Sequence, residues 1–143
     1  MNRSAIDWDA LVEAATMSRN NAYAPYSGFA VGAAVLTGSG RVFTGCNVEN
    51  ATFGLSVCAE RVAIATAVAN GEREIRGIAI VTDAASPVPP CGMCLQVLAE
   101  FARDVPVYLA SAVPGTMARA TSLSKLLPEA FTPSMLPSRQ GAR

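Results

Sequence analysis

Three cysteines and one glutamate have the types and spacing needed for metal-dependent chemistry. Glu60 stands two residues after Cys58, and later in the chain Cys91 and Cys94 form a Cys-x-x-Cys pair. Three thiolates suit one tetrahedral zinc ion, and they leave its fourth coordination position for a water molecule. Glu60, one residue removed from a ligand, stays free to move protons. The pattern therefore indicates a catalytic zinc site rather than a structural one.

Helices are predicted to begin at both cysteine motifs. The apolar run 62–69 follows Cys58 and stops before Gly71, so Cys58 and Glu60 are expected in the first turn of a helix. Two prolines exclude helix before Cys91, and apolar positions at helical spacing follow it. The sulfurs are then expected at helix N-termini, where the helix dipole favours thiolate over thiol.

Composition and charge narrow the class of protein. The 143 residues, 51% of them hydrophobic, suit one globular domain, which we expect at 1–131 with a flexible tail at 132–143. Zero net charge without a basic run argues against a nucleic-acid partner. The sequence lacks the apolar stretch of a membrane span or a signal peptide, so we expect a cytoplasmic location and reduced thiols. The chain has no histidine, which excludes Ser-His and Cys-His nucleophile pairs.

The other segments predict an α/β fold. Five runs have the residue types of strands: 29–36, 41–48, 75–81, 105–109 and 116–121. Besides the helices at the cysteines, an amphipathic helix is predicted around 8–15 and a short one at 123–127. These elements make a three-layer α/β/α fold, in which helices cover both faces of a five-stranded mixed sheet.

Two polar residues end the second predicted strand. Asn47 and Glu49 are two positions apart, so their side chains are expected on one face, where together they could bind a diol. The alternative is a solvated strand end with a turn-forming asparagine.

Cys46 precedes this pair and is the fourth cysteine of the chain. As a zinc ligand it would close the coordination sphere and remove the catalytic water. It lies in a strand well before the zinc helix, so a buried, unreactive thiol is favoured.

Several motifs together resemble the small homotetrameric cytidine deaminases. They are Gly45-Cys46-Asn47-Val48-Glu49-Asn50-Ala51, Cys58-Ala59-Glu60-Arg61 and Pro90-Cys91-Gly92-Met93-Cys94, with Phe29 to Ala34 upstream. A glutamate that is not a ligand and a Pro-Cys-x-x-Cys half make the signature of zinc deaminases. The resemblance implies a cytidine-deaminase-like fold. It also implies hydrolysis of cytidine and 2′-deoxycytidine to uridine and 2′-deoxyuridine with release of ammonia, in pyrimidine salvage.

The resemblance also implies roles for individual residues. Cys58, Cys91 and Cys94 would hold zinc, and Glu60 would pass a proton from water to the pyrimidine N3 and then to ammonia. Substrate would be bound by the side chains of Phe29, Asn47 and Glu49, by backbone groups of Ala59 and Cys91, and by Phe131 lent to a neighbouring subunit.

Arg61 and three departures from the family pattern bear on rate and specificity. Arg61 would donate to the sulfurs and make zinc a stronger Lewis acid. Leu95 stands where many relatives have arginine, so we expect slower turnover or a higher optimum pH. Gly28 replaces a basic or polar residue and Phe53 a tyrosine, which favours the alternative of a modified cytosine nucleoside or nucleoside antibiotic as substrate. A non-catalytic zinc-stabilised binding domain is the other alternative, although it would not need Glu60.

Overall fold

The computed structural model describes residues 5–137 as one mixed sheet between two layers of helices. The helices are α1 (Trp8–Arg19), α2 (Ala59–Ala69), α3 (Gly92–Phe101) and α4 (Leu123–Leu126). The strands are β1 (Gly32–Thr37), β2 (Val42–Cys46), β3 (Ile75–Thr82), β4 (Pro106–Ser111) and β5 (Arg119–Ser122). Short 3-10 helices lie at Phe53–Leu55 and Pro133–Met135. Within residues 5–137, no helix is both long and apolar enough to cross a membrane.

The five strands follow the order β2-β1-β3-β4-β5. β1 pairs antiparallel with β2 and β3, β3 pairs parallel with β4, and β4 pairs antiparallel with β5. A parallel pair needs a crossover connection, which α3 provides between β3 and β4. The predicted five-stranded mixed sheet is therefore confirmed.

Helices cover both faces of this sheet, as predicted. On one face, Leu11 of α1 packs in a buried cluster with Ala34 of β1. On the other face, Ile64 of α2 belongs to a larger buried cluster with Ile78 of β3. β3 is buried along nearly its whole length because it has a helical layer on each side.

The first strand begins at Gly32 rather than at the predicted Phe29. The Asn47 side chain donates to the Phe29 carbonyl at 2.7 Å and accepts from the Val31 amide at 2.9 Å. These two hydrogen bonds occupy a backbone carbonyl and a backbone amide that would otherwise be available to pair with a neighbouring strand. The segment before β1 is therefore an ordered loop held by a side chain.

The other strand boundaries shift by smaller amounts, except in β5. β5 starts at Arg119 instead of residue 116, and β2 ends at Cys46 instead of residue 48. In the predicted tail, Pro133–Met135 forms a 3-10 helix, and its last part, 138–143, lies outside the described residues.

Gly45 lets the start of α2 lie directly against the edge strand β2. A Cβ at this position would be 2.4 Å from the Ala63 nitrogen and 2.5 Å from the Ala59 carbonyl oxygen. Only glycine allows two backbones to approach this closely. The first turn of α2, which carries Glu60, is thereby seated on the sheet.

Candidate active site

Three sulfurs converge where two helices begin. Cys58 is the N-cap of α2, Cys91 is the N-cap of α3, and Cys94 lies in the first turn of α3. Their Sγ atoms lie within 4.8 Å of one another, with 3.9 Å between Cys58 and Cys91 and 3.4 Å between Cys91 and Cys94. Zinc–sulfur bonds of about 2.3 Å in tetrahedral geometry need sulfurs about 3.8 Å apart. The cluster therefore has the donor set and the spacing of a zinc site.

Cys46 lies apart from this cluster. It sits at the end of β2, paired with Gly32 of β1, and its side chain is half-buried. The group that could hold a metal among residues 5–137 contains the other three cysteines and not Cys46. A site with three cysteines leaves one tetrahedral position for a small ligand.

Arg61 stabilises negative charge on the sulfur cluster. Its Nη2 donates to Cys58 Sγ at 3.6 Å and to the Ser56 carbonyl at 3.4 Å. Hydrogen bonding from Cys94, followed by that from Arg61, lowers the pKa of Cys58 from 9.0 to about 5. The same bond to Cys58 raises the pKa of Arg61. Arg61 Nε is buried and has no hydrogen-bond partner within the described part of the chain.

Glu60 is a buried carboxyl group beside the sulfurs. It is 6% exposed, and Cys94 Sγ donates to its Oε2 at 3.7 Å. Burial raises the pKa of Glu60, because removal from water disfavours the charged form. A carboxyl group with a raised pKa is suited to accept and release protons near neutral pH.

A cavity of about 280 Å³ opens beside Glu60, Cys58 and Cys91. Besides Cys91, four other residues predicted to bind substrate line it: Phe29, Asn47, Glu49 and Ala59. Phe131 is not among the lining residues. It is 56% exposed, and its carbonyl accepts a hydrogen bond from Gln96 at 2.7 Å. The structure thus brings the other predicted site residues together within one chain.

The residues that form the remaining walls of this cavity were not identified as site residues from the sequence. They are Ser27, Val31, Ile80, Thr82, Val88 and Pro89. Ile80 and Thr82 end β3, whose apolar run indicated only a buried strand. Val88 and Pro89 lie just before a cysteine motif, so position is their only signal in the sequence. Val31 lies in the motif that begins at Phe29, and Ser27 lies in the turn before it.

Glu49 holds the segment that leads to Phe29. Its Oε1 accepts from the amides of Tyr26 and Ser27 at 2.9 and 3.1 Å, and its Oε2 accepts from the Ser27 hydroxyl. The Ser27 hydroxyl is the largest cause that lowers the pKa of Glu49. With Asn47 bound to the Phe29 carbonyl, both polar residues organise the cavity wall.

The three departures from the family pattern occupy different environments. Leu95 is 6% exposed and belongs to the buried apolar cluster beneath α3. Gly28 has φ of 65°, in the left-handed region. Phe53 is 73% exposed and packs edge-on against Tyr26, with ring centroids 5.6 Å apart.

Fold and site together define a zinc-dependent deaminase of the cytosine type, in which a non-ligand glutamate stands beside a Pro-Cys-x-x-Cys zinc site. The family model described as "Cytidine and deoxycytidylate deaminase zinc-binding region" matches residues 7–110. The chain belongs to this family, as the motifs predicted.

Individual relatives agree with this assignment. A cytidine deaminase of Halalkalibacterium halodurans is 47% identical over 128 residues, which cover 89% of this chain and 96% of the relative. A crystal structure of cytidine deaminase from Burkholderia pseudomallei superposes with a TM-score of 0.82 at 47% identity, covering 88% of this chain and all of that one. Cytidine deaminase from Mycobacterium tuberculosis superposes with a TM-score of 0.76 at 41% identity, covering 89% of this chain and 98% of that chain.

Proposed function

We propose that the protein hydrolytically deaminates cytidine and 2′-deoxycytidine to the corresponding uridines and ammonia. The observation that carries this proposal is Glu60, buried beside three sulfurs at the cavity that Phe29 and Glu49 line. A non-catalytic zinc domain has no need of a buried carboxyl group there. Relatives named cytidine deaminase, two of them 47% identical over most of the chain, support the same substrate class.

The chain's residues divide the chemistry between them. Cys58, Cys91 and Cys94 would hold zinc, which would act there as a Lewis acid and make a water molecule more acidic. Glu60 takes a proton from the attacking water and delivers it to the pyrimidine N3. Once the C4–O bond has formed, Glu60 moves the remaining proton of that oxygen to the amino group, so that the C4–N bond breaks, ammonia leaves and the C4 carbonyl of the uridine forms. Its raised pKa suits these transfers.

Asn47 and Glu49 keep part of their hydrogen-bonding capacity free for the hydroxyl groups of a sugar. A carboxylate offers about four lone-pair sites, and the groups of Tyr26 and Ser27 occupy three of those on Glu49. Asn47 keeps one N–H after donating to Phe29. Asn47 Oδ1 also keeps one lone pair after accepting from the Val31 amide, so the two side chains together offer two acceptors and one donor. This capacity can serve either one hydroxyl or the diol predicted from sequence, so we expect both cytidine and 2′-deoxycytidine to be substrates.

Assembly into a homotetramer with shared sites is part of the proposal. Phe131 lies outside its own chain's cavity, and Tyr26, Phe53 and Leu55 expose apolar surface. Large exposed apolar groups of this kind mark interfaces. The same proposal places the enzyme in the cytoplasm, in pyrimidine salvage, because its thiolates must stay reduced to bind zinc.

A Glu60→Gln variant tests the mechanism. The amide keeps the shape of the side chain but cannot take up a proton, so zinc content should be retained while kcat falls by at least about a hundredfold. Glu13→Gln, at an exposed position of α1, is the matched control. Full turnover in zinc-loaded Glu60→Gln would overturn the proposed mechanism.

A substrate panel tests specificity in the wild-type protein. The panel comprises cytidine, 2′-deoxycytidine, cytidine 5′-monophosphate, free cytosine, a single-stranded oligonucleotide and a cytosine nucleoside antibiotic. Loss of absorbance and release of ammonia report turnover. A preference for the antibiotic would favour the alternative substrate, and zinc binding without any turnover would favour a binding domain.

A further inference from the structure

The Ser27 hydroxyl joins two walls of the cavity. It donates to Oε2 of Glu49, and it accepts from the Phe29 amide at 3.0 Å. The Ser27 amide also donates to Oε1 of Glu49 at 3.1 Å. The Ser27 side chain therefore connects the part of the cavity wall formed by Glu49 to the part formed by Phe29.

The backbone around Ser27 is shaped to make this connection. Gly28 adopts φ of 65°, which glycine reaches without steric cost, and its amide donates to the Ala24 carbonyl at 2.9 Å. This turn brings the Phe29 amide within hydrogen-bonding distance of Ser27 Oγ. Since Asn47 binds the Phe29 carbonyl, both backbone groups of Phe29 are held by side chains.

We propose that Ser27 is a positioning residue for nucleoside binding. Its hydroxyl fixes one oxygen of Glu49, so that the remaining lone pair points at the sugar hydroxyl, and it sets Phe29 against the same substrate. This inference rests on the proposed deaminase function. Because the hydrogen bonds of Ser27 lead to Glu49 and Phe29 and not to Glu60, Ser27 acts on substrate binding rather than on proton transfer.

Three variants test the proposal through the separate responses of KM and kcat. Ser27→Ala should raise KM for cytidine about tenfold, since misplaced binding groups weaken substrate positioning, and leave kcat within about twofold. Ser27→Thr keeps the hydroxyl and should restore KM. The control is Ser39→Ala, which also removes a Ser–Glu hydrogen bond, to Glu72, but in the turn after the far end of β1. An unchanged KM in Ser27→Ala would overturn the proposal.

A double-mutant cycle tests whether Ser27 acts through Glu49. If it does, adding Ser27→Ala to Glu49→Gln should raise KM much less than Ser27→Ala does in the wild type. Independent, multiplying effects would refute this route of action.

Calorimetric binding of uridine, the reaction product, gives the same comparison without turnover. If the wild-type protein binds zinc but deaminates no cytosine nucleoside, the proposed function is wrong. If the wild-type protein is active and the Ser27→Ala variant has the same KM and uridine affinity, only the proposed role of Ser27 is wrong.

Discussion

Replacing Gly45 by alanine should lower activity, although Gly45 is not one of the residues that line the cavity. Gly45 lies in β2 and sits under the first turn of α2, against the lining residue Ala59. That turn follows Cys58 and carries Glu60. The substitution therefore tests whether contact between two backbones seats the catalytic groups.

The size of the effect follows from the distances. The added Cβ would lie 2.4 Å from the Ala63 nitrogen, 2.5 Å from the Ala59 oxygen and 2.9 Å from Val62 Cβ. Ordinary contact begins at about 3.5 Å, so α2 must move away by about 1 Å. The two closest atoms are backbone, which no rotamer change can relieve. Overpacking of this kind costs about 1–3 kcal/mol, or about 3–9 °C in melting temperature. A displacement of about 1 Å can reduce the rate about a hundredfold.

The assay combines thermal unfolding, zinc content and kcat/KM for cytidine in the same preparation. We expect Gly45→Ala to melt earlier and to lose activity beyond any loss of folded protein. Gly54→Ala is the control, because a Cβ there meets nothing within 4 Å and its φ is not positive. If the Gly45→Ala variant has the melting temperature and the kcat/KM of the wild type, the reasoning is refuted.

Two further predictions concern charge and assembly. Leu95→Arg places a positive charge next to Cys94, so the acid limb of the pH–rate profile should move to lower pH. The free energy of unfolding should fall, because Leu95 is 6% exposed and its surroundings are apolar. Leu95→Met is the uncharged control, and an unchanged pH–rate profile in Leu95→Arg would contradict the charge argument. Phe131→Ala and Glu60→Ala should each be severely impaired alone, whereas their coexpression should restore up to about a quarter of the sites by random assortment in a tetramer. Absence of recovery in mixed tetramers would contradict sharing of Phe131 between subunits.

Local signals account for most of what the sequence predicted correctly. The Cys-x-x-Cys spacing places Cys91 and Cys94 about one helical turn apart, and the prolines before Cys91 set where α3 begins. Likewise, Gly71 marks the end of α2, with φ of 92° just beyond it. These features depend on neighbours in the chain, so periodicity and turn chemistry were sufficient to read them.

The start of β1 was predicted wrongly because a distant side chain intervenes. The run from Phe29 has the composition of a strand, but Asn47 takes the backbone groups of Phe29 and Val31. Composition reports the propensity of a segment and not the partner that its N–H and C=O groups will find. Family motifs likewise named Asn47 and Glu49 without indicating how much of their hydrogen-bonding capacity the protein itself uses.

The sequence alone determined the family and predicted the candidate metal ligands and the acid–base glutamate, because these depend on residue types at fixed short spacings. Only the tertiary structure decided that Ser27 links Glu49 to Phe29, that β3 and its following loop complete the cavity, and that Phe131 lies outside its own chain's pocket. Each of these follows from contacts between segments far apart in the chain. Such contacts arise when the sheet and helices pack, and no local pattern records them.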